Sequence, residues 1–225
     1  MSLPSDGDVR PDGADRPLIA VLDYGIGNLR SAEKALLHVG ADARLTSDPG
    51  LVADADGVVL PGVGSFGACM SALHAAGLAD VAHDAAVGPR PFLGVCVGMQ
   101  MLFDGSDESP GATGLGVIEG RVRLLPDHVK RPQMQWNRLD VRRPTPLLAR
   151  DGEQWMYFVH SYAAECDDAV VTATCRYGTD VVAMVEQGSC WATQFHPEKS
   201  SSAGLGLMRS FVRLVADQSQ EATRP

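Results

Sequence analysis

A chain of 225 residues with 45 % hydrophobic side chains is long enough for one large domain with a sizeable core. Its net charge of −9 lacks the basic balance of a nucleic-acid-binding surface and gives no reason to expect an anionic membrane as partner. The 5 cysteines include no C-x-x-C pair, which argues against a zinc knuckle or a thioredoxin-type site and for reduced thiols in a cytoplasm.

Residues 1–17 are rich in Asp, Pro and Gly without an apolar centre, so they read as a flexible leader and not as a signal peptide. A single domain is expected over 18–216, with 217–225 as a loose tail. The apolar run 18–23 predicts the first buried strand. A turn at 24–28 follows, and Asn28 is placed to cap a helix running to about residue 40. Strands are expected near 43–46 and 57–60, the latter ended by Pro61-Gly62-Val63-Gly64. Helices over 66–76 and 78–86 lead to a fourth strand at 92–95. Strands alternating with helices predict a parallel sheet covered on both faces.

Residues 104–115 read as a polar loop. Beyond it the pattern changes to strands with short turns, at 117–125, 135–141, 155–160, 170–176, 181–187 and 190–195. These are expected to add to the same sheet in antiparallel fashion, before a closing helix at 203–216. No segment is apolar for long enough to span a membrane.

The chemistry centres on Gly94-Val95-Cys96-Val97-Gly98. A strand before it and a helix after it, expected over 99–103, give the cysteine counterpart of the serine nucleophile elbow. Flanking glycines permit the strained turn, and a helix N-terminus favours thiolate. A buried, inert cysteine is the alternative, but a glycine-flanked strand-to-helix switch is an unusual place for a packing residue.

His196 precedes Pro197 and is therefore biased to extended backbone. In that conformation Gln194, His196 and Glu198 share a face, so Glu198 can orient the imidazole and stabilise its charged form. His38, His74, His83 and His128 have no such partner and read as structural. Gly62, Val63 and Gly64 end the strand beside the nucleophile strand, where loops of a parallel sheet build ligand sites. Backbone N–H groups of Val63 and Gly64, with that of Val97, are candidates for an oxyanion hole. Val63 lies between two glycines, so its peptide can rotate at low cost, and docking of a partner is expected to set it.

Three segments together, Gly94-Val-Cys96-Val-Gly98-Met-Gln100, Leu60-Pro-Gly-Val-Gly64 and Gln194-Phe-His196-Pro-Glu198, resemble the signatures of class I (triad) glutamine amidotransferases. Asp23-Tyr-Gly-Ile-Gly-Asn28, Trp136-Asn137 and His196-Pro-Glu-Lys-Ser200 narrow the likeness to the glutaminase subunits of imidazole glycerol phosphate synthase, from about residue 18 to 215. The resemblance implies an α/β three-layer fold: a mostly parallel central sheet, flanking helices and an antiparallel portion in the second half. It implies Cys96, His196 and Glu198 as a catalytic triad that hydrolyses L-glutamine through a thioester, without metal or cofactor. Gly62, Gln100, Glu108, His160, Ser161 and Tyr162 are implied as substrate contacts, Glu108 meeting the ammonium group.

The implied partner is a (β/α)8-barrel cyclase of the HisF type, forming a heterodimer with Asn28, Gln135, Trp136, Asn137 and Lys199 at or near the interface. One departure stands out: Gln135 occupies the place where the family often has glycine before Trp-Asn. Two other readings remain open at this point. One is a glutaminase serving an anthranilate- or guanylate-type synthetase, and the other is a catalytically silent scaffold.

Overall fold

The computed structural model describes residues 16–148 and 153–222. The first half runs β1 (Leu18–Leu22), α1 (Leu29–His38), β2 (Asp42–Thr46), α2 (Pro49–Asp54), β3 (Gly57–Gly62), α3 (Phe66–Ala75), α4 (Ala79–Val87), β4 (Phe92–Cys96) and α5 (Val97–Gln100). The second half adds β5 (Gly105–Ser106), β6 (Gly120–Leu124), β7 (Gln133–Val141), β8 (Trp155–His160), β9 (Tyr162–Cys166), β10 (Val171–Tyr177), β11 (Thr179–Gln187), β12 (Cys190–Thr193) and α6 (Ser201–Ala222).

The main sheet has the order β2-β1-β3-β4-β12-β11-β10-β7-β8. Strands β2, β1, β3, β4 and β12 are parallel to one another. From β12 outward each neighbouring pair is antiparallel. Every residue of β3 and β4 is buried, which explains their continuous apolar runs: helices cover both faces of this part of the sheet. The chain leaves β1 in one direction toward β2 and returns past it to β3 and β4. Right-handed crossovers then put α1 on one face and the α3–α4 pair on the other. α1 packs against α6, and α3 against α4. The loops after β1, β3, β4 and β12 therefore gather at one edge of the parallel half, where a ligand site is expected.

Several expectations are corrected. The segment 117–125 does not join the main sheet; β6 pairs with β5 and β9 in a separate three-stranded sheet. Strand β9 was not anticipated, because Tyr162–Cys166 is alanine-rich and its β signal is weak. Helix α2 was also missed. It is only 6 residues long, started by Pro49 at its first position and by Asp48, whose carboxylate accepts from Gly50 N–H.

Asn28 does occupy the cap position of α1, yet its side chain caps no backbone N–H; its Oδ1 accepts from the Ser31 hydroxyl at 2.8 Å. Helix α6 continues to Ala222, so 217–222 are helix and not loose tail. Ser219 anchors this end by donating to Asp56 Oδ1 at 2.7 Å. The leader at 1–15 and the last three residues lie outside the described residues. Among the described residues no helix is long and apolar enough to cross a membrane.

Candidate active site

Cys96 ends β4 with φ 57, a conformation that an L side chain adopts only under constraint, at a cost of about 1–3 kcal/mol. The constraint comes from its neighbours. A Cβ on Gly98 would sit 1.9 Å from Leu60 O, and one on Gly62 2.7 Å from Gly98 N. Gly94 faces Ala192 of β12, where an added Cβ would stand 3.1 Å from the alanine methyl. Neither Gly94 nor Gly98 has a positive φ. The flanking glycines therefore serve close packing, and the strained torsion belongs to the cysteine itself. Gly62 does not line the cleft; it lets β3 press against the elbow.

The helix expected at 99–103 is instead α5, which starts at once after Cys96 and has 4 residues. So short a helix has little macrodipole, and stabilisation of a thiolate must come mainly from other groups.

His196 follows β12 with extended torsions, φ −102 and ψ 97. The extended run stops there, and residues 197–199 form a 3-10 turn started by Pro197. The predicted contact is nevertheless made, because the turn brings Glu198 Oε1 to 2.8 Å from His196 Nδ1. This segment is held from the side by β8. His196 N–H donates to Tyr157 O at 3.0 Å, Tyr157 N–H donates to Ser200 Oγ at 3.0 Å, and the Ser200 hydroxyl donates to His196 O at 2.6 Å.

The side chains of His196 and Glu198 are only 2 % and 4 % exposed. With Nδ1 engaged by the carboxylate, Nε2 is the ring nitrogen left to serve Cys96, which lines the same cleft as His196. Burial disfavours the imidazolium, but the hydrogen bonds and charges of Cys96 and Glu198 outweigh it and raise His196 to about 9. The pair is thus arranged to hold the histidine protonated beside the sulfur.

These groups open onto a cleft of about 360 Å³. Val63, Gly64 and Val97 line it next to Cys96. The Val63 carbonyl accepts from the Cys69 thiol at 3.2 Å. The N–H of the same peptide, that of Gly64, therefore points the opposite way. This peptide is not free to rotate at no cost, since the buried Cys69 must release it first.

Gln100, Glu108, His160, Ser161 and Tyr162 also line the cleft. Glu108 is no solvated loop residue: its Oε2 accepts from Phe66 N–H at 2.7 Å, at the start of α3, leaving Oε1 for a ligand. Gln100 donates through Nε2 to Tyr162 O and to Gln194 Oε1, each at 3.0 Å. His160 donates from Nδ1 to Tyr162 O at 2.8 Å. Burial above all, with the nearby His196 charge, depresses it to about 4, so its imidazole is neutral, with Nε2 left as a buried acceptor without a partner.

Gln135, Trp136 and Asn137 lie on β7, paired with β8. Trp136 is 45 % exposed, and its ring centroid is 6.1 Å from that of Tyr157. Asn137 is braced to Arg176 O at 3.0 Å. Lys199 is exposed at the cleft, and Asn28 lies half-buried in the loop after β1. A wider groove of about 520 Å³ lies along α6 near Leu148 and Glu153, but it has no cysteine or histidine among its lining residues.

Sequence reasoning gave no role to Gln194, Cys69 or Tyr157. Gln194 lay inside a recognised motif and on the predicted face of His196, which was the available signal. The other two act through contacts 6 and 39 or more positions away, with no local pattern to reveal them.

A family model for class-I glutamine amidotransferases matches residues 20–213. The imidazole glycerol phosphate synthase subunit HisH of Methanothermobacter thermautotrophicus is 46 % identical over 198 residues, covering 88 % of this chain and 99 % of that protein. The HisH protein of Acinetobacter baylyi is 46 % identical over 199 residues, covering 86 % and 97 %. Among solved structures, the crystal structure of a glutamine amidotransferase has the same fold. It aligns with a TM-score of 0.70 at 23 % identity, over 88 % of this chain and 98 % of that one.

Proposed function

Because the chain belongs to the class-I glutamine amidotransferases, among the HisH subunits of imidazole glycerol phosphate synthase, we propose that Cys96, His196 and Glu198 hydrolyse L-glutamine and that the ammonia passes to a cyclase partner. The carrying observation is a buried imidazole, held by a carboxylate at 2.8 Å, that shares one cleft with the buried thiol of the elbow. The relatives favour histidine biosynthesis over an anthranilate- or guanylate-type synthetase.

Cys96 Sγ attacks the side-chain carboxamide carbon, and the carbonyl oxygen takes up the negative charge. The Val97 N–H and the Val63–Gly64 loop supply donors to that oxygen. His196 gives its proton to the departing nitrogen as the C–N bond breaks, leaving ammonia and a thioester. It then takes a proton from water, whose oxygen attacks the thioester and releases glutamate and the sulfur. The balance is glutamine plus water to glutamate plus ammonia. Glu198 keeps Nε2 aimed at the sulfur and stabilises the imidazolium. The free oxygen of Glu108 suits the substrate ammonium, and Gln100 Oε1 with the backbone of 160–162 suits its other polar groups.

Ammonia is mostly protonated in neutral water and then no longer nucleophilic, so direct transfer to the acceptor site is required. A (β/α)8-barrel cyclase seated over the cleft, touching Trp136, Gln135, Asn137, Lys199 and Asn28, meets that need and forms a heterodimer. An exposed tryptophan suits an interface anchor. Five free cysteines fit a reducing cytoplasm. The test is Cys96→Ala in complex with the cyclase: glutamine-dependent synthesis is lost and ammonia-dependent synthesis is kept. Continued turnover on glutamine would remove Cys96 from the mechanism.

A further inference from the structure

Gln194 is 0 % exposed and Gln100 only 3 % exposed, so the direction of each amide is dictated by its partners. Tyr162 O can only accept, which makes the Gln100 atom 3.0 Å from it the NH2 group. The same Nε2 lies 3.0 Å from the Gln194 amide, and a donor cannot face a donor, so the Gln194 atom there is its oxygen. The NH2 of Gln194 is thereby turned onto Cys96 Sγ, at 3.9 Å. His160 strengthens this order by donating to the same Tyr162 carbonyl at 2.8 Å, which marks it as the acceptor at the head of the chain.

We propose that Gln194 acts on the nucleophile directly: its carboxamide N–H, locked in direction by Gln100, donates to the Cys96 sulfur and stabilises it as thiolate. This rests on the reading of Cys96 as nucleophile. Gln194 supplies the side-chain donor that the one-turn α5 leaves wanting, from the residue just past β12, the strand beside β4. Gln100 is then a positioning residue as well as a substrate contact, since both of its amide protons serve the chain. A hydrogen bond to an ionised sulfur strengthens as charge builds on it and weakens when the thioester forms, so the contact favours the attacking state.

The test uses iodoacetamide, a neutral reagent that needs no glutamine site, on the full chain over a pH series, with alkylation of each cysteine followed by peptide mass. Gln194→Met slows alkylation of Cys96 about tenfold near neutral pH and moves its pH profile to the alkaline side, leaving half-buried Cys166 as an unchanged internal control. Gln194→Glu keeps the acceptor for Gln100 but sets an anion beside the sulfur, and slows Cys96 further. Gln100→Leu frees the Gln194 amide and moves the profile the same way. A wild-type profile in the folded Gln194→Met or Gln194→Glu protein overturns the proposal. If wild-type Cys96 is itself no more reactive than Cys166, the nucleophile reading fails instead.

Discussion

The elbow and the β7–β8 ribbon place the two halves of the reacting pair by different means. Cys96 is fixed by backbone packed against backbone, with Gly98 under Leu60 O and Gly62 behind Gly98 N, deep in the parallel half. His196 is braced by Tyr157 of β8, and β7 alongside leaves Met134 62 % and Trp136 45 % exposed. The backbone position of Cys96 is thus set by the parallel core. The base depends on a ribbon whose outer face is open to a partner, so whatever docks on Trp136 bears on the strand that holds the imidazole.

The largest effect that could break this contrast lies in the base. His196→Asn lowers glutamine-dependent kcat about 10³-fold or more, and Glu198→Gln about 10²- to 10⁴-fold, each measured on folded protein below its own reduced melting temperature. If Glu198→Gln kept full activity, the orienting role of the carboxylate would be gone. Next comes the elbow: Gly98→Ala forces a methyl onto Leu60 O and costs about 3 kcal/mol, read as a shift of the denaturant midpoint. A neutral result there means that the elbow is less tightly clamped than its contacts imply.

Trp136→Ala sharpens the other side, weakening cyclase binding about 10- to 100-fold by titration while leaving the denaturant midpoint of the free chain nearly unchanged. Loss of stability in the free chain would instead make Trp136 part of the fold.

The smallest effects are in pH. His196 stands at about 9 in the folded chain against 6.5 for the free side chain, so its contribution to stability is complete below about 6.5 and lost as pH rises through 9. The melting temperature should fall over that window, and His196→Asn should flatten the fall. His160, at about 4 against 6.5, has the opposite sign: its contribution is present above 6.5 and lost as pH falls toward 4. His160→Asn should therefore flatten the acid limb.

The sequence was most legible where the local pattern and the tertiary environment agree. Buried parallel strands are continuous apolar runs, so β1, β3 and β4 could be placed within a residue or two. The Cys96 elbow and the His196–Glu198 pair were visible because glycine, proline and carboxylate spacing carry backbone geometry directly. The reasons were less accurate than the positions. Glu198 reaches His196 by a 3-10 turn and not by strand alternation, and the elbow glycines avoid collisions instead of adopting unusual torsions. What stayed hidden was what arises only from long-range contact. The pairing of β6 with β9, the hold of Cys69 on Val63 O and the direction of the Gln194 amide depend on residues far apart in the chain.

The arrangement of sulfur, imidazole and carboxylate is tested most directly by a diazoketone analogue of glutamine, with the labelled site mapped by mass spectrometry in the cyclase-bound protein. One adduct on Cys96, blocked by excess glutamine and abolished in His196→Asn, is the predicted result. An unlabelled Cys96 in the folded complex, or an adduct on another cysteine, would contradict it.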